Sequence, residues 1–357
     1  MKKTAVILFN LGGPDSLKSV RPFLFNLFSD KAIISLPQPF RFFLALLISS
    51  LRNKKAQKIY AQIGGKSPLA EITQEQALKL ERELSFAGDF KVFVAMRYFH
   101  PRAKKVVADV LRYQPDEVIL LPLYPQFSSS TSASSLNEFR RIFLAKANKT
   151  PLKTICCYPT EPDFIRAHGV LIKNSLTRFH KKEIGEFRFL FSAHGLPKKL
   201  IDNGDPYVFH VEETTKKIVE NLAEILPAQK SQIDFQVCYQ SKVGPLEWTS
   251  PSLDFALRKA ILDKKIPAII PVSFVSDHSE TLVELDIDYK NLALELGAKD
   301  FVRIASLNLD GSFIKALAEI CKNAGARSDY EIFSGKTPLR FCQEKMKFCP
   351  NQNPCKA

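Results

Sequence analysis

This 357-residue chain has no apolar run long enough to span a membrane. Its most hydrophobic stretch, residues 33 to 51, is unbroken only from Phe42 to Ile48, far short of the roughly 18 to 20 apolar residues a spanning helix requires. A secretory leader is not expected either. Lys2 and Lys3 precede an apolar run, but Asn10 breaks it and no small-residue cleavage site follows, so the start reads as a first strand. The turn Gly12-Gly13-Pro14-Asp15-Ser16 lacks the G-x-G-x-x-G fingerprint and the Walker lysine, which leaves a tight strand-to-helix turn as the simpler reading. No recognition helix, zinc finger or RNA-binding signature occurs, so nucleic acid is not expected as a partner despite a formal net charge of +14. The seven cysteines are odd in number and unevenly spread; without a leader they are expected to be reduced thiols in the cytoplasm rather than disulfides.

What the chain does contain is an alternation of buried strands and helical stretches. Strands are expected at Thr4–Leu11, Lys91–Tyr98, Glu117–Tyr124 and Lys153–Tyr158, and again at Phe187–Ser192, Ile233–Tyr239, Ala268–Val275 and Phe301–Leu307. Leu121-Pro122-Leu123 recurs in outline as Ile270-Pro271-Val272. The fold class is therefore α/β, two similar Rossmann-like, doubly wound parallel-sheet domains whose strand ends face one cleft. Boundaries are expected at 1–165 and 166–335, with a cysteine-containing extension at 336–357. The serine-rich tract 128–135 reads either as a linker or as an oxygen-lined active-site loop. Residues 33–51, apolar all round and collared by Arg41, Arg52, Lys54, Lys55 and Lys58, read either as core or as a segment dipped into a bilayer face.

The chemistry gathers at two strand ends. Ile266 to Tyr289 holds five acids, Asp277, Glu280, Glu284, Asp286 and Asp288, and no Lys or Arg. Asp277 with Glu280 reads as a capping box, and the spacing of four from Glu280 through Glu284 to Asp288 stacks those acids on one helical face. Such a face repels itself unless a cation or a proton relieves it, and His278 lies beside it. Phe189 to Pro197 delivers His194 to another strand end, where Gly195 and Pro197 stop the strand. One imidazole and one carboxylate are too few for a closed zinc site, so a metal would be held only in passing. A histidine that titrates near neutrality suits a base there. The only tryptophan, Trp248, sits in a Gly/Pro-shaped loop beside Lys242, which suits a flat ligand bearing carboxylates.

The strings LFNLGGPDS, GGKSPL, MRYFHP, YPQFSSSTSASS, FSAHGLP, NGDPY, YQSKVGPLEW and SFVSDHSETLVELDIDY together resemble ferrochelatase, in order and spacing, over nearly the full length. The resemblance implies insertion of ferrous iron into a porphyrin to make protohaem, in a cleft between the two halves of a chelatase fold. It implies His194 and Glu280 as the catalytic and iron-contacting pair, His278 as holding the Glu280 environment, and Glu284 and Asp288 as the continuing acidic path for Fe²⁺. Leu11, Arg97, Tyr98, Tyr124, Ser130, Trp248 and Phe274 match porphyrin-lining positions. Leu11 favours protoporphyrin IX, since forms acting on coproporphyrin carry a tyrosine there. A [2Fe-2S] cluster is implied on Cys342, Cys349 and Cys355. Ser129 occupies the place of the internal cysteine of animal forms, so Cys156 or Cys157 would complete the set; zinc or free thiols are the alternatives. Peripheral contact with the inner membrane is expected, and a homodimer is compatible. The rival functions are a carrier that binds metal or haem without turnover, and a chelatase acting on another tetrapyrrole such as coproporphyrin.

Overall fold

The structure is a computed structural model that describes residues 2–146, 150–179, 181–226, 232–327 and 329–352. In chain order it runs β1 (Lys3–Asn10), α1 (Val20–Phe28), α2 (Phe40–Ala61), α3 (Leu69–Ser85), β2 (Asp89–Met96), α4 (Ala103–Tyr113), β3 (Glu117–Pro122), α5 (Ser132–Leu144) and β4 (Leu152–Cys157). Then come α6 (Pro162–Leu176), β5 (Phe187–His194), α7 (Lys198–Asp202), α8 (Tyr207–Ile225), β6 (Asp234–Gln240), α9 (Leu253–Leu262), β7 (Ile266–Pro271) and α10 (Ser279–Leu282). A π-helical turn (Glu284–Asp288), α11 (Tyr289–Glu295), β8 (Val302–Arg303), α12 (Gly311–Ala326) and β9 (Ile332–Ser334) complete it.

Two parallel sheets result, ordered β2-β1-β3-β4-β9 and β6-β5-β7-β8. The first strand of each half is interior to its sheet, and both faces of β1 and β5 are covered. That is why Ala5-Val6-Ile7-Leu8-Phe9 and Phe189-Leu190-Phe191 are apolar without alternation. In the first sheet Ile7, Phe9 and Leu120 pack against Val106 and Val107 of α4 and Phe139 and Phe143 of α5. In the second, Leu190 and Ile269 pack against Leu253 and Leu257 of α9 and Leu285 of the π turn.

The chain divides into one unit of Met1–Tyr158 with Leu317–Phe341 and the residues from Pro350, and a second of Pro159–Ala316 with Cys342–Cys349. The boundaries expected at 165 and 335 are therefore displaced, because β9 pairs with β4 and returns the end of the chain to the first sheet. Lys153 reinforces that return. Its Nζ lies 2.7 Å from both Glu117 Oε2 and the Ala324 carbonyl near the C-terminus of α12, where a cation complements the helix dipole.

Three local expectations change. β7 stops at Pro271 rather than Val275, and β8 spans only Val302–Arg303 rather than Phe301–Leu307, since apolar burial continues into turns that no longer pair. The serine tract is not a linker. Ser132 to Ser135 form the first turn of α5, and Ser132, Ser134 and Ser135 are buried.

Candidate active site

The second unit brings its candidate functional side chains together at the C-terminal ends of β5, β6 and β7. His194 is the last residue of β5 and pairs in register with Gln240, the last residue of β6. The His194 Nδ1 lies 2.6 Å from the Gly195 carbonyl. A carbonyl only accepts, so Nδ1 carries the proton and Nε2 is left open. That Nε2 faces Glu280 Oε2 at 4.0 Å, with the two side chains 34% and 31% exposed. His278 repeats the arrangement: Nδ1 lies 3.2 Å from the Ser276 carbonyl, and Nε2 faces the same Glu280 oxygen at 3.7 Å. Two ring nitrogens and a carboxylate thus converge without touching, at separations too long for direct hydrogen bonds. Burial pushes the Glu280 carboxyl up, but the charges that His194 and His278 carry when protonated reverse this and bring it down to about 2.

The acidic segment is built differently from its sequence pattern. Asp277 does not cap the helix. His278 is the N-cap of α10, with its N–H donating to Thr281 Oγ1 at 3.0 Å, while Asp277 pairs with Arg303 and accepts from Asn308 Nδ2 at 2.7 Å. The α-helix ends after one turn and widens into the π turn, in which the Asp288 N–H donates to the Val283 carbonyl at 2.9 Å. The expected single acidic face is consequently split. Glu280 meets the two histidines, Glu284 accepts from Gln240 Nε2 at 3.1 Å and Ser241 Oγ at 2.6 Å, Asp286 approaches Arg303, and Asp288 is exposed. Burial and the neighbouring charge of Glu280 raise the Glu284 carboxyl above the usual range.

Gln240 touches both Glu280 and Glu284, and sequence reasoning passed over it. Its amide also donates to the Glu280 carbonyl at 3.0 Å, and its Oε1 accepts from Ser192 Oγ at 2.7 Å. The only signal for it was its place at a strand end, in a string read for the tryptophan that follows. Trp248 packs over Gly195, with its ring 6.3 Å from that of His194, and Phe274 lies 4.7 Å from the His278 ring. Both expected aromatic contacts thus flank the two histidines.

In the first unit the expected porphyrin-lining residues have more structural duties. Arg97 pairs with Asp30 at 2.8 Å and Glu138 at 3.1 Å, and Tyr98, a core side chain, donates to Asp30 at 2.8 Å. Leu11 and Tyr124 are half-buried, and Ser130 is buried with its hydroxyl 2.9 Å from that of Ser128. The described cysteines implied as cluster ligands fall in two places. Cys156 and Cys157 on β4 have their sulfurs 3.5 Å apart. Cys342 and Cys349 share an apolar cluster with Met346 and Phe209, and Cys342 Sγ is 3.1 Å from His210 Nε2. Cys355 lies outside the described residues. Among the described residues no group of three or more His, Cys, Asp or Glu is arranged to hold a metal ion.

Helix α2 exposes Phe40, Phe42, Phe43, Leu46, Leu47 and Leu51 and buries only Ala45, Ser49 and Tyr60, so the apolar segment is not core. No described helix is long and apolar enough to cross a membrane.

By structure the chain is similar to SirB from Bacillus subtilis with Fe³⁺, at a TM-score of 0.53 and 12% identity over 92% of this chain and 98% of that one. It is similar to sirohydrochlorin chelatase SirB in complex with cobalt at a TM-score of 0.51 and 10% identity, over the same shares. These identities speak for the chelatase fold alone. By sequence it is 47% identical to the ferrochelatase of Rickettsia bellii over 98% of this chain and 95% of that protein. It is 44% identical to the ferrochelatase of Pelagibacter ubique, over 98% and 99%. The ferrochelatase family model matches residues 3–325, and the chain belongs to the ferrochelatase family.

Proposed function

We propose that His194, Glu280 and His278 are the proton- and metal-handling group with which this ferrochelatase inserts ferrous iron into protoporphyrin IX to give protohaem. The carrying observation is the convergence of two open Nε2 atoms on one carboxylate. Insertion requires two pyrrole N–H protons to leave as a cation enters among four nitrogens. His194 Nε2 is a free lone pair at the more exposed position, suited to take a proton from the macrocycle. Glu280, ionised at any working pH, balances the imidazolium so formed and offers the cation an oxygen. Glu284, held by Gln240 and Ser241 beside Glu280, accepts a proton or a cation more readily than an ordinary surface acid because its carboxyl is raised. Asp288 continues this line to solvent. Trp248 and Phe274 supply apolar surface to the macrocycle; on the first unit, Leu11, Tyr124, Ser130 and Arg97 are the residues that match the family's porphyrin-lining positions. Tyr98 acts through Asp30, which it helps to hold. Anaerobic mixing of protoporphyrin IX, Fe²⁺ and catalytic protein should convert the porphyrin spectrum to that of haem; binding without conversion would instead make the protein a carrier.

The exposed face of α2 supports peripheral membrane contact. Its apolar side chains lie N-terminal to Arg52, Lys54, Lys55 and Lys58, matching acyl chains and anionic head groups. Replacing Phe43 and Leu47 by Ser should weaken binding to anionic liposomes and raise the KM for protoporphyrin without loss of circular dichroism. Wild-type liposome binding would remove this reading.

A [2Fe-2S] cluster would draw on Cys342 and Cys349, whose shared apolar pocket suits a group that excludes water. It needs Cys355 and one of Cys156 and Cys157 besides. Anaerobically purified protein should then be red-brown, and Cys349→Ser should bleach it. Colourless protein holding stoichiometric zinc, or no metal, would reject the cluster and leave the ferrochelatase reaction untouched.

A further inference from the structure

Four strands end beneath the acidic segment, and the π turn is tied to both edges of their sheet. On one edge Glu284 bonds to Gln240 and Ser241 at the end of β6. On the other, Arg303 of β8 approaches Asp286 with its Nε at 3.3 Å. The same guanidinium pairs through Nη2 with Asp277, the residue before His278, and Asp277 is locked in turn by both side-chain atoms of Asn308. One cation therefore joins the entry to the Glu280 helix and the π turn that follows it. Without it Asp277 and Asp286 would repel each other, a charge repulsion that the packing of Leu285 on the core does not offset. A cavity of about 590 Å³, lined in part by Asp286, Arg303, Lys290 and Phe301, lies on that side of the turn.

We propose that Arg303 is a positioning residue for iron insertion: by pairing with Asp277 and Asp286 together, it fixes the π turn that presents Glu284 beside Glu280. The inference rests on the reading of Glu280 and Glu284 as the metal- and proton-handling acids. Arginine is required because its fork reaches two carboxylates in different directions, which a lysine point charge does not.

The test uses Asp286→Asn and Arg303→Lys in the full chain, with Glu284→Gln alongside. Arg303→Lys risks the fold, since Arg303 and Asp277 are 9% and 11% exposed, whereas the Asp286 side chain is 36% exposed and its variant should fold. Two readouts are needed. Hydrogen exchange of the amides at 283–289 should quicken in both variants. The KM for Fe²⁺ should rise about tenfold, within the roughly 10²-fold that a misplacement of an ångström costs, with porphyrin affinity by fluorescence quenching unchanged. Wild-type exchange in Asp286→Asn overturns the clamp. Faster exchange with an unchanged metal KM, where Glu284→Gln does raise it, overturns the positioning role. An unchanged metal KM in Glu284→Gln overturns the reading of the acids and with it the metal part of this inference, while the exchange rates decide the clamp on their own.

Discussion

Each unit carries a cluster of ionisable side chains beyond the ends of its parallel strands, and the two clusters are balanced in opposite ways. In the first, Asp30 accepts from Ser134, Tyr98 and the Ala32 N–H and pairs with Arg97, whose guanidinium also meets Glu138. Burial pushes the Asp30 carboxyl up, and those bonds and the Arg97 charge bring it below the usual carboxylate range. In the second, among the described residues no Lys or Arg pairs with Glu280, whose counter-groups are two histidines held at 4.0 and 3.7 Å. The closed cluster stabilises a fold. The open one keeps room for a proton or a cation, at the cost of repulsion between Glu280 and Glu284.

That contrast breaks first at the open cluster. His194→Ala and Glu280→Gln should each lower insertion by at least the roughly 10²–10⁴-fold typical of a positioned acid or base, with porphyrin binding nearly unchanged. Near-normal turnover in either purified variant would remove the assignment. At the closed cluster the effect should appear in stability. Arg97→Met leaves the Asp30 carboxylate buried without its cation, and loss of one partner of such a pair costs about 3–5 kcal/mol. Denaturant unfolding at neutral pH checks this; a shift below 1 kcal/mol would show that Tyr98 and Ser134 suffice.

Acid separates the two further. Because the Asp30 and Glu280 carboxyls are depressed, the stability they contribute is present above their ordinary values of 3.8 and 4.5. It is lost as pH falls through the folded values, about 2 for Glu280. Glu284 has the opposite sign: its raised carboxyl makes its ionised form a cost above that raised value, and protonation relieves it. Glu284→Gln should therefore raise the melting temperature at pH 8 slightly, by up to about 1 °C, the scale of a few tenths of a kcal/mol in a protein this size, while impairing use of iron. A lowered melting temperature would show that the bonds from Gln240 and Ser241 outweigh the repulsion.

The readable part of the site was the part carried by chain neighbours. His194 stands between an apolar strand and Gly195-Leu196-Pro197, which marks a strand end from local composition alone, and Glu280 follows His278 in a polar turn after another buried run. Gln240 and Arg303 carried no such mark. Their roles come from sitting at the ends of β6 and β8, on opposite edges of a sheet whose order is not the order of the chain. The apolar stretch around Phe42 was equally compatible with core and surface, because a helix apolar on every side reports no direction.

By itself the sequence determined the buried parallel strands, since only strands covered on both faces run apolar without alternation, and it determined the strand-end histidine. Tertiary structure alone decided what the acids do. A spacing of four is α-helical until something holds the backbone otherwise. Here Glu284 bonds to Gln240 at the end of β6 while Asp286 lies 3.3 Å from Arg303 of β8, contacts with strands far apart in the chain that the spacing of the acids could not show.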